Sequence, residues 1–158
     1  MNLQIVPARP VDLEPILRLQ KQAYQSEAAI YQDFNIPPLT ETLAMLQVEQ
    51  RHSLVLAAWA EGELVGAVRG EMKEDSCLIG RLLVAPSRQN QGIGKALMKA
   101  IEAAHPQARR FELFTGTLSL KNLALYQALG YQPFRQEMLG QITFIYLEKR
   151  ASQPGQPG

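Results

Sequence analysis

The chain predicts an α+β fold, a mixed, mostly antiparallel central sheet of about seven strands flanked by about four helices. Three observations predict it. Strand and helix patterns follow the order β-α-α-β-β-β-α-β-α-β-β, where a doubly wound parallel sheet would alternate them strictly. Glu61-Gly62 falls between two apolar strand patterns as a hairpin turn, which makes the central pair antiparallel. No internal repeat or linker divides the 158 residues, so residues 1–150 read as one domain and 151–158 as a loose, Pro/Gly/Gln-rich tail.

Leu3–Val6 alternates as a first strand, closed by Pro7. Pro10-Val11-Asp12 opens a helix with Asp12 as its N-cap, and Leu13, Ile16, Leu17 and Ala23-Tyr24 line one face to about Gln25. Ser26–Leu39, with Pro37-Pro38, Tyr31 and Phe34, reads as a loop or a broken helix. Thr40 is placed to cap the next helix, which buries Leu43, Leu46 and Val48. His52–Ala60 and Glu63–Met72 are the hairpin strands, Lys73–Ser76 is a polar turn, and Cys77–Val84 is strand four, ended by Pro86. A helix then carries Ile93, Leu97, Ile101 and Ala104 on one stripe and stops at His105-Pro106. Phe111–Thr115 is a short buried strand. Ser119 caps a helix whose apolar face is Leu120, Leu123 (or Ala124) and Leu129, with Gly130 as its C′ residue. Tyr131–Met138 and Gln141–Glu148 form the closing strand pair. His52 and His105, at element ends, read as surface residues.

Composition excludes several classes of partner. At 46% hydrophobic and 20% charged, the chain has the balance of a globular domain long enough to bury a core. A net charge of +1 and no extended basic tract give no field for a nucleic-acid backbone, so neither DNA nor RNA is expected as a partner. Cys77, the only cysteine, can form no internal disulfide; it points to a reducing compartment and reads as a small core residue. No window approaches the roughly 18 apolar residues of a membrane span, and the first residues lack a signal peptide's basic start and apolar core. A cytoplasmic protein without a membrane partner or a metal site is expected.

The stretch with the clearest chemistry is Gln89-Asn90-Gln91-Gly92-Ile93-Gly94-Lys95. Two glycines open a helix directly after a turn, so the chain curls tightly and its first amides face outward unpaired. A helix start of that kind attracts phosphate. A Walker loop is excluded, because Gln89 and Ala96 stand where it needs Gly and Ser or Thr. A Rossmann turn lacks its third glycine, replaced by Leu97, and Glu112 at the ribose-acid distance lies inside an apolar strand pattern. The third candidate fits: Gln89-x-x-Gly92-x-Gly94 resembles the Q/R-x-x-G-x-G/A signature of the GNAT N-acetyltransferase superfamily. The element order looks like that fold too, from Leu3 to about Lys149. Leu82-Leu83-Val84-x-Pro86, the glycine turn and Tyr126 ahead of Leu129-Gly130-Tyr131 all sit in the family's order.

The resemblance implies acetyl-CoA as cofactor and attack by an amine on its thioester. The pyrophosphate is then expected on the backbone amides of Gln91, Gly92, Gly94 and Lys95, with amide donors from Gln89 and Asn90. Lys95, Arg88 or Lys99 would meet the outer phosphate. Leu82, Leu83 and Val84 would offer main-chain groups to the pantetheine arm in the manner of an added strand. Tyr126 matches the usual general acid, and Asn122, four residues earlier on the same helix face, would bond the arm. Many family members place a glutamate on strand four; here Cys77-Leu78-Ile79-Gly80-Arg81 stands there. Glu71 on strand three is the substitute base, with Glu112 or ordered water as alternatives. Tyr24, Tyr31 and Phe34, with Glu27 and Asp33, would shape the acceptor pocket. The absence of a nucleophile favours direct transfer, and the partner expected is a small-molecule amine, with a homodimer open as an assembly. Two alternatives remain at this point: a non-catalytic acyl-CoA sensor, and an enzyme that acetylates protein N-termini or lysines.

Overall fold

The turn residues Glu61 and Gly62 both have positive φ, 50° and 77°. This left-handed pair matches the right-handed twist of two antiparallel strands, and the hairpin it makes seeds the centre of the sheet. The computed structural model describes residues 2–152. Seven strands form one sheet: β1 (Leu3–Pro7), β2 (Leu54–Ala60), β3 (Glu63–Lys73), β4 (Ser76–Val84), β5 (Arg110–Gly116), β6 (Gln132–Leu139) and β7 (Ile142–Arg150). They lie in the order β1-β2-β3-β4-β5-β7-β6, and β4 with β5 is the one parallel pair among the described residues. The helices are α1 (Leu13–Ala23), α2 (Gln25–Tyr31), α3 (Pro37–Thr40), α4 (Leu43–Gln50), α5 (Ile93–Ala103) and α6 (Leu120–Ala128). The two beyond the expected four come from Ser26–Leu39, whose prolines break it into the short α2 and α3 rather than leaving it as a loop.

The sheet is covered on both faces. One face packs against α5 and α6: Leu56, Val68, Ile79, Phe111 and Leu147 meet Ile93, Leu97, Met98, Ile101 and Tyr126. The other packs against α1 and α4, with Ile16 and Leu19 over Val55, Ala57, Ala67 and Leu83, and with Leu13 and Leu17 on Leu46. Among the described residues no helix is long and apolar enough to cross a membrane. Ala151, the expected start of the tail, packs against the core and its N–H donates to the Arg109 carbonyl at 3.0 Å. Residues 153–158 of that tail lie outside the described residues.

Several local expectations are corrected, some by a partner within one turn and some by one far away in sequence. Asp12 caps no helix amide; its buried carboxylate takes the Arg9 N–H at 2.8 Å and the Arg9 guanidinium at 3.0 and 3.1 Å. Thr42, not Thr40, caps α4, accepting from Met45 N–H at 3.2 Å, and the shifted frame leaves Val48 exposed. Met98 rather than Ala104 completes the buried stripe of α5. On α6 Leu120 is exposed and Tyr126 is buried in its place. Ser119 does precede α6, but its hydroxyl donates to Glu27 instead of capping. His105 is buried, with Nδ1–H donating to the Ile101 carbonyl at 2.8 Å. It closes the end of α5 onto β3 at Gly70, where a Cβ would stand 2.8 Å from the imidazole.

Cys77 is the core residue its apolar run suggested, with no exposed surface. Burial pushes its thiol up to about 11, so the reactive thiolate is roughly a thousandth of the population at pH 8. We expect no labelling of the native protein by a thiol-specific disulfide reagent at that pH, and immediate stoichiometric labelling in denaturant. Rapid native labelling would show that β4 opens far below the global unfolding energy.

Candidate active site

The glycine turn is a cradle of free amides. A short 3-10 turn over Pro86–Arg88 leads into it, Asn90 and Gly92 take φ of 65° and 82°, and α5 begins at Ile93. The first helix bond runs from Ala96 N–H to the Gly92 carbonyl at 3.0 Å, so Ile93, Gly94 and Lys95 have amides without a helical acceptor. A Cβ added to Gly92 would meet nothing within 4 Å, which leaves the approach to those amides open. A Cβ on Gly94 would stand 3.5 Å from Leu125 and 3.7 Å from Val84, so the cradle abuts both the end of β4 and helix α6. Gln89, Asn90, Gln91, Lys95 and Lys99 are exposed around it. Arg88 is not available: its guanidinium faces Glu63 at 3.3 Å and Glu61 at 3.6 Å. A diphosphate fits this set of donors.

From the cradle the open edge of β4 runs inward. β4 pairs with β5 only through Ser76–Leu78 and Arg110–Glu112, and beyond Leu78 the two strands part. One side of Leu82-Leu83-Val84 therefore has no strand partner, while the other stays paired to β3. The register between β3 and β4 shifts by one residue there, and Arg81 takes a φ of 50° at the shift. This is a β-bulge, the device that bends an edge and re-aims a side chain. Leu83 is buried against α1, while Leu82 and Val84 pack under α5 and α6.

Tyr126 and Tyr24 meet where the strands part. The Tyr126 ring packs on Tyr131 with centroids 6.1 Å apart, and its hydroxyl has no hydrogen-bond partner among the described residues. Burial pushes its phenol far up, with the Tyr24 phenol and Glu27 beside it acting in the same direction. It therefore holds its proton at neutral pH. Tyr24 donates its hydroxyl to the Leu82 carbonyl at 3.0 Å, and burial raises it to about 12. Glu27 accepts from the Ser119 hydroxyl and from Asn122 Nδ2 at 3.4 Å, and Asn122 also reaches Thr115 Oγ1 at 3.3 Å. Asn122, expected on the pantetheine arm, is thus engaged by protein groups. Tyr31 is a clasp: its hydroxyl lies 2.7 Å from Ser119 Oγ and accepts the Leu118 N–H at 3.1 Å, tying α2 to the end of β5. Its ring passes so close to Gly116 that only glycine fits there. Phe34 is exposed between α2 and α3.

A cavity of about 410 Å³ opens over the bulge on the α4 side, with Glu41, Glu49, Arg69, Glu71, Arg81 and Phe114 among its walls. Tyr24, Tyr31 and Phe34, expected to shape the acceptor pocket, are not in its wall. Glu71, the expected substitute base, is. Glu112 is held elsewhere, in an ion pair with Arg110 at 2.7 Å. His52 is exposed, and with Glu49 and Glu71 it brings one donor atom each within 4.8 Å of one another. Below the cavity lies a network that sequence patterning missed. Arg69 donates to both oxygens of Glu41 and to Gln20 Oε1, and Gln20 donates to Glu41 and to the Pro38 carbonyl. The one available signal was an arginine inside the apolar run Leu64–Gly70, since a charge there needs a buried partner.

The comparisons with known proteins agree with this architecture. A family model described as Acetyltransferase (GNAT) family matches residues 13–131. UPF0157 protein YqkA of Bacillus subtilis (strain 168) is 29% identical over 117 residues, which is 74% of this chain. The chain spans about a third of that relative's length, 34%. Among solved structures, the PaiA N-acetyltransferase of Thermoplasma acidophilum in complex with coenzyme A gives a TM-score of 0.78 at 16% identity, over 96% of this chain and 100% of that one. The ribosomal-protein-S18-alanine N-acetyltransferase of Escherichia coli gives 0.80 at 16%, over 98% and 97%. YncA of Salmonella typhimurium with its cofactor acetyl-CoA gives 0.74 at 15%, over 100% and 99%. At such identities the structures speak to the fold. The family match covers α1, the bulged strand, the glycine cradle and Tyr126 together, and on that ground the chain belongs to the Acetyltransferase (GNAT) family.

Proposed function

We propose that the protein is an acetyl-CoA-dependent N-acetyltransferase that moves the acetyl group directly to a primary amine of a small molecule. The observation that carries this reading is the unpaired edge of β4, which joins a free-amide cradle at one end to a charged cavity at the other. Two relatives by fold were seen with coenzyme A or acetyl-CoA, which supports the same cofactor here. When bound, it supplies an acetyl group activated as a thioester. The amides of Ile93, Gly94 and Lys95 would hold its diphosphate; each such charge-assisted bond contributes about 1.5–3 kcal/mol, more than any one exposed side chain. Leu82 and Val84 would offer backbone groups to the extended arm.

The chemistry then needs two proton positions. A new N–C bond forms as the C–S bond breaks; the amine gives up a proton and the departing sulfur gains one. Glu71 stands in the cavity wall to take the first, and Tyr126 holds the second at its hydroxyl. The walls of the cavity carry charges suited to a small polar acceptor, which favours that class over a protein chain.

The test is thiol release from acetyl-CoA across a panel of small amines and N-terminal peptides, with coenzyme A affinity measured beside it. Turnover of peptides alone would replace the small-molecule reading. Gly92→Val addresses the cradle. At φ 82° a β-branched residue is strained by about 1–2 kcal/mol, and its methyl groups stand where the diphosphate must approach. We expect at least a tenfold loss of coenzyme A affinity by calorimetry with the circular dichroism spectrum retained. Unchanged affinity would remove the cradle from the mechanism.

A further inference from the structure

The cavity over the bulge contains one cation paired only at long range and one anion without an ion pair among the described residues. Arg81 sits at φ 50°, a left-handed conformation that costs a non-glycine residue about 1–2 kcal/mol. Of the five non-glycine residues with positive φ among the described residues, Arg81 is the one inside a strand and in the cavity wall; the others lie at turns or a helix end. The bulge points the guanidinium toward Glu41, but Nε stops 3.7 Å short, and this buried atom has no hydrogen-bond partner among the described residues. Glu41 is already occupied, by Arg69 and Gln20. Nε itself is closed off, but the guanidinium lines the cavity and makes no hydrogen bond among the described residues, which leaves its terminal nitrogens as donors for a ligand oxygen. In the same cavity Glu71 has neither an ion pair nor a side-chain hydrogen bond among the described residues. Glu49 and His52 stand next to it, the three offering one donor atom each within 4.8 Å of one another; Glu49 also accepts from Ser53 Oγ at 2.8 Å and lies 3.7 Å from His52 Nε2.

We propose that the acceptor is a small zwitterion, an amine that carries its own carboxylate, as free amino acids do. The proposal rests on the N-acetyltransferase reading and names its substrate class. Arg81 receives the carboxylate, and Glu49 with Glu71 receives the ammonium before it gives up its proton. Three carboxylates, Glu41, Glu49 and Glu71, face two guanidiniums, Arg69 and Arg81, so the placement of the ligand's charges rather than their sum separates the rivals. A diamine with one ammonium at Glu49 and Glu71 would set its second cation against Arg81. At a peptide N-terminus the carbon beside the amine carries an uncharged amide in place of that carboxylate. The volume, about 410 Å³, is within the range of small-ligand sites.

Matched acid–amide pairs test this: L-amino acids, β-alanine and 4-aminobutyrate beside their carboxamides, with 1,4-diaminobutane as the dication, followed by thiol release and by calorimetric binding. The best acid is expected to exceed its amide and the diamine at least tenfold in kcat/KM. Arg81→Gln and Arg81→Gly should bring the acid-to-amide ratio close to one. Glycine suits φ 50°, so the second variant keeps the fold even if the first does not. Arg81→Lys, which keeps the charge without the fork, should restore part of the ratio. An amide or diamine used as well as the acid, or a ratio that survives in both variants, overturns the zwitterion site and leaves N-acetyl transfer standing. If acids bind with an Arg81-dependent preference over amides but no amine is acetylated, the site stands and the transfer reading falls. If no acid binds or turns over, the proposal is wrong.

Discussion

Tyr126→Phe is expected to lower turnover ten- to a thousandfold while leaving coenzyme A affinity within a factor of two, the range typical of losing one positioned proton donor. The substitution is unusually clean. The ring stays in its place against Tyr131, and the hydroxyl it removes has no hydrogen bond among the described residues, so stability should change by less than about 0.5 kcal/mol. Tyr24→Phe is the control. It deletes the bond to the Leu82 carbonyl and should cost about 1 kcal/mol of stability, with a smaller effect on turnover.

A phenol normally holds its proton more tightly than a thiol by about 1.5 units, so donation to a departing thiolate begins about 2 kcal/mol uphill. Burial raises Tyr126 further, which at first sight makes it a worse acid. The same desolvation acts on the thiolate. Cys77, buried nearby in the same core, is itself raised from 9.0 to about 11. A thiolate leaving beside the buried Tyr126 would be penalised for the same reason, so the difference between donor and acceptor, rather than either value alone, would decide the step. Undiminished turnover in Tyr126→Phe would mean that water protonates the sulfur.

Where a feature depends on neighbours along the chain, the sequence was enough to read it. The Glu61-Gly62 turn, the glycine turn at Gly92 and the succession of strands and helices along the chain all follow from local spacing and turn chemistry. Contacts made across the fold were hidden. The resemblance places Tyr24, Tyr31 and Phe34 around the acceptor, and nothing local in the sequence says what their hydroxyls and rings bind. Tyr31 in fact bonds Ser119, 88 residues away, and Tyr24 bonds Leu82, 58 away. Arg81 was noticed only as the absence of a glutamate, because a single extra residue in β4 cannot be seen without the register of its partner strand. Asn122 lies on the helix face expected for the arm, yet Thr115 and Glu27 already hold its amide.

Glu41→Gln is expected to remove about 3–5 kcal/mol of unfolding free energy, a large part of the 5–15 kcal/mol typical of a domain. The side chains of Glu41 and Arg69 are only 7% and 9% exposed, and Arg81 lies 3.7 Å from the same carboxylate. Glutamine keeps the volume, so no cavity contributes; the loss comes from two guanidinium groups left without a counter-charge. Urea unfolding should show a lower midpoint at unchanged slope. Replacing both partners, Glu41→Leu with Arg69→Met, should cost less than the single change, because it removes a charge together with the one that balanced it. Acid provides an independent check. Burial pushes the Glu41 carboxyl up, but hydrogen bonds from Arg69 and Gln20 and the charges of Arg69 and Arg81 outweigh it and hold the group below its ordinary 4.5. With the folded value below the unfolded one, the contribution is complete above about pH 4.5 and is lost as pH falls through the folded value. The wild-type protein should therefore lose stability more steeply than Glu41→Gln below that pH, and the two curves should converge. Parallel curves would mean that the carboxylate contributes nothing through its charge, and that hydrogen bonding alone holds α1, α3 and β3 together at this point.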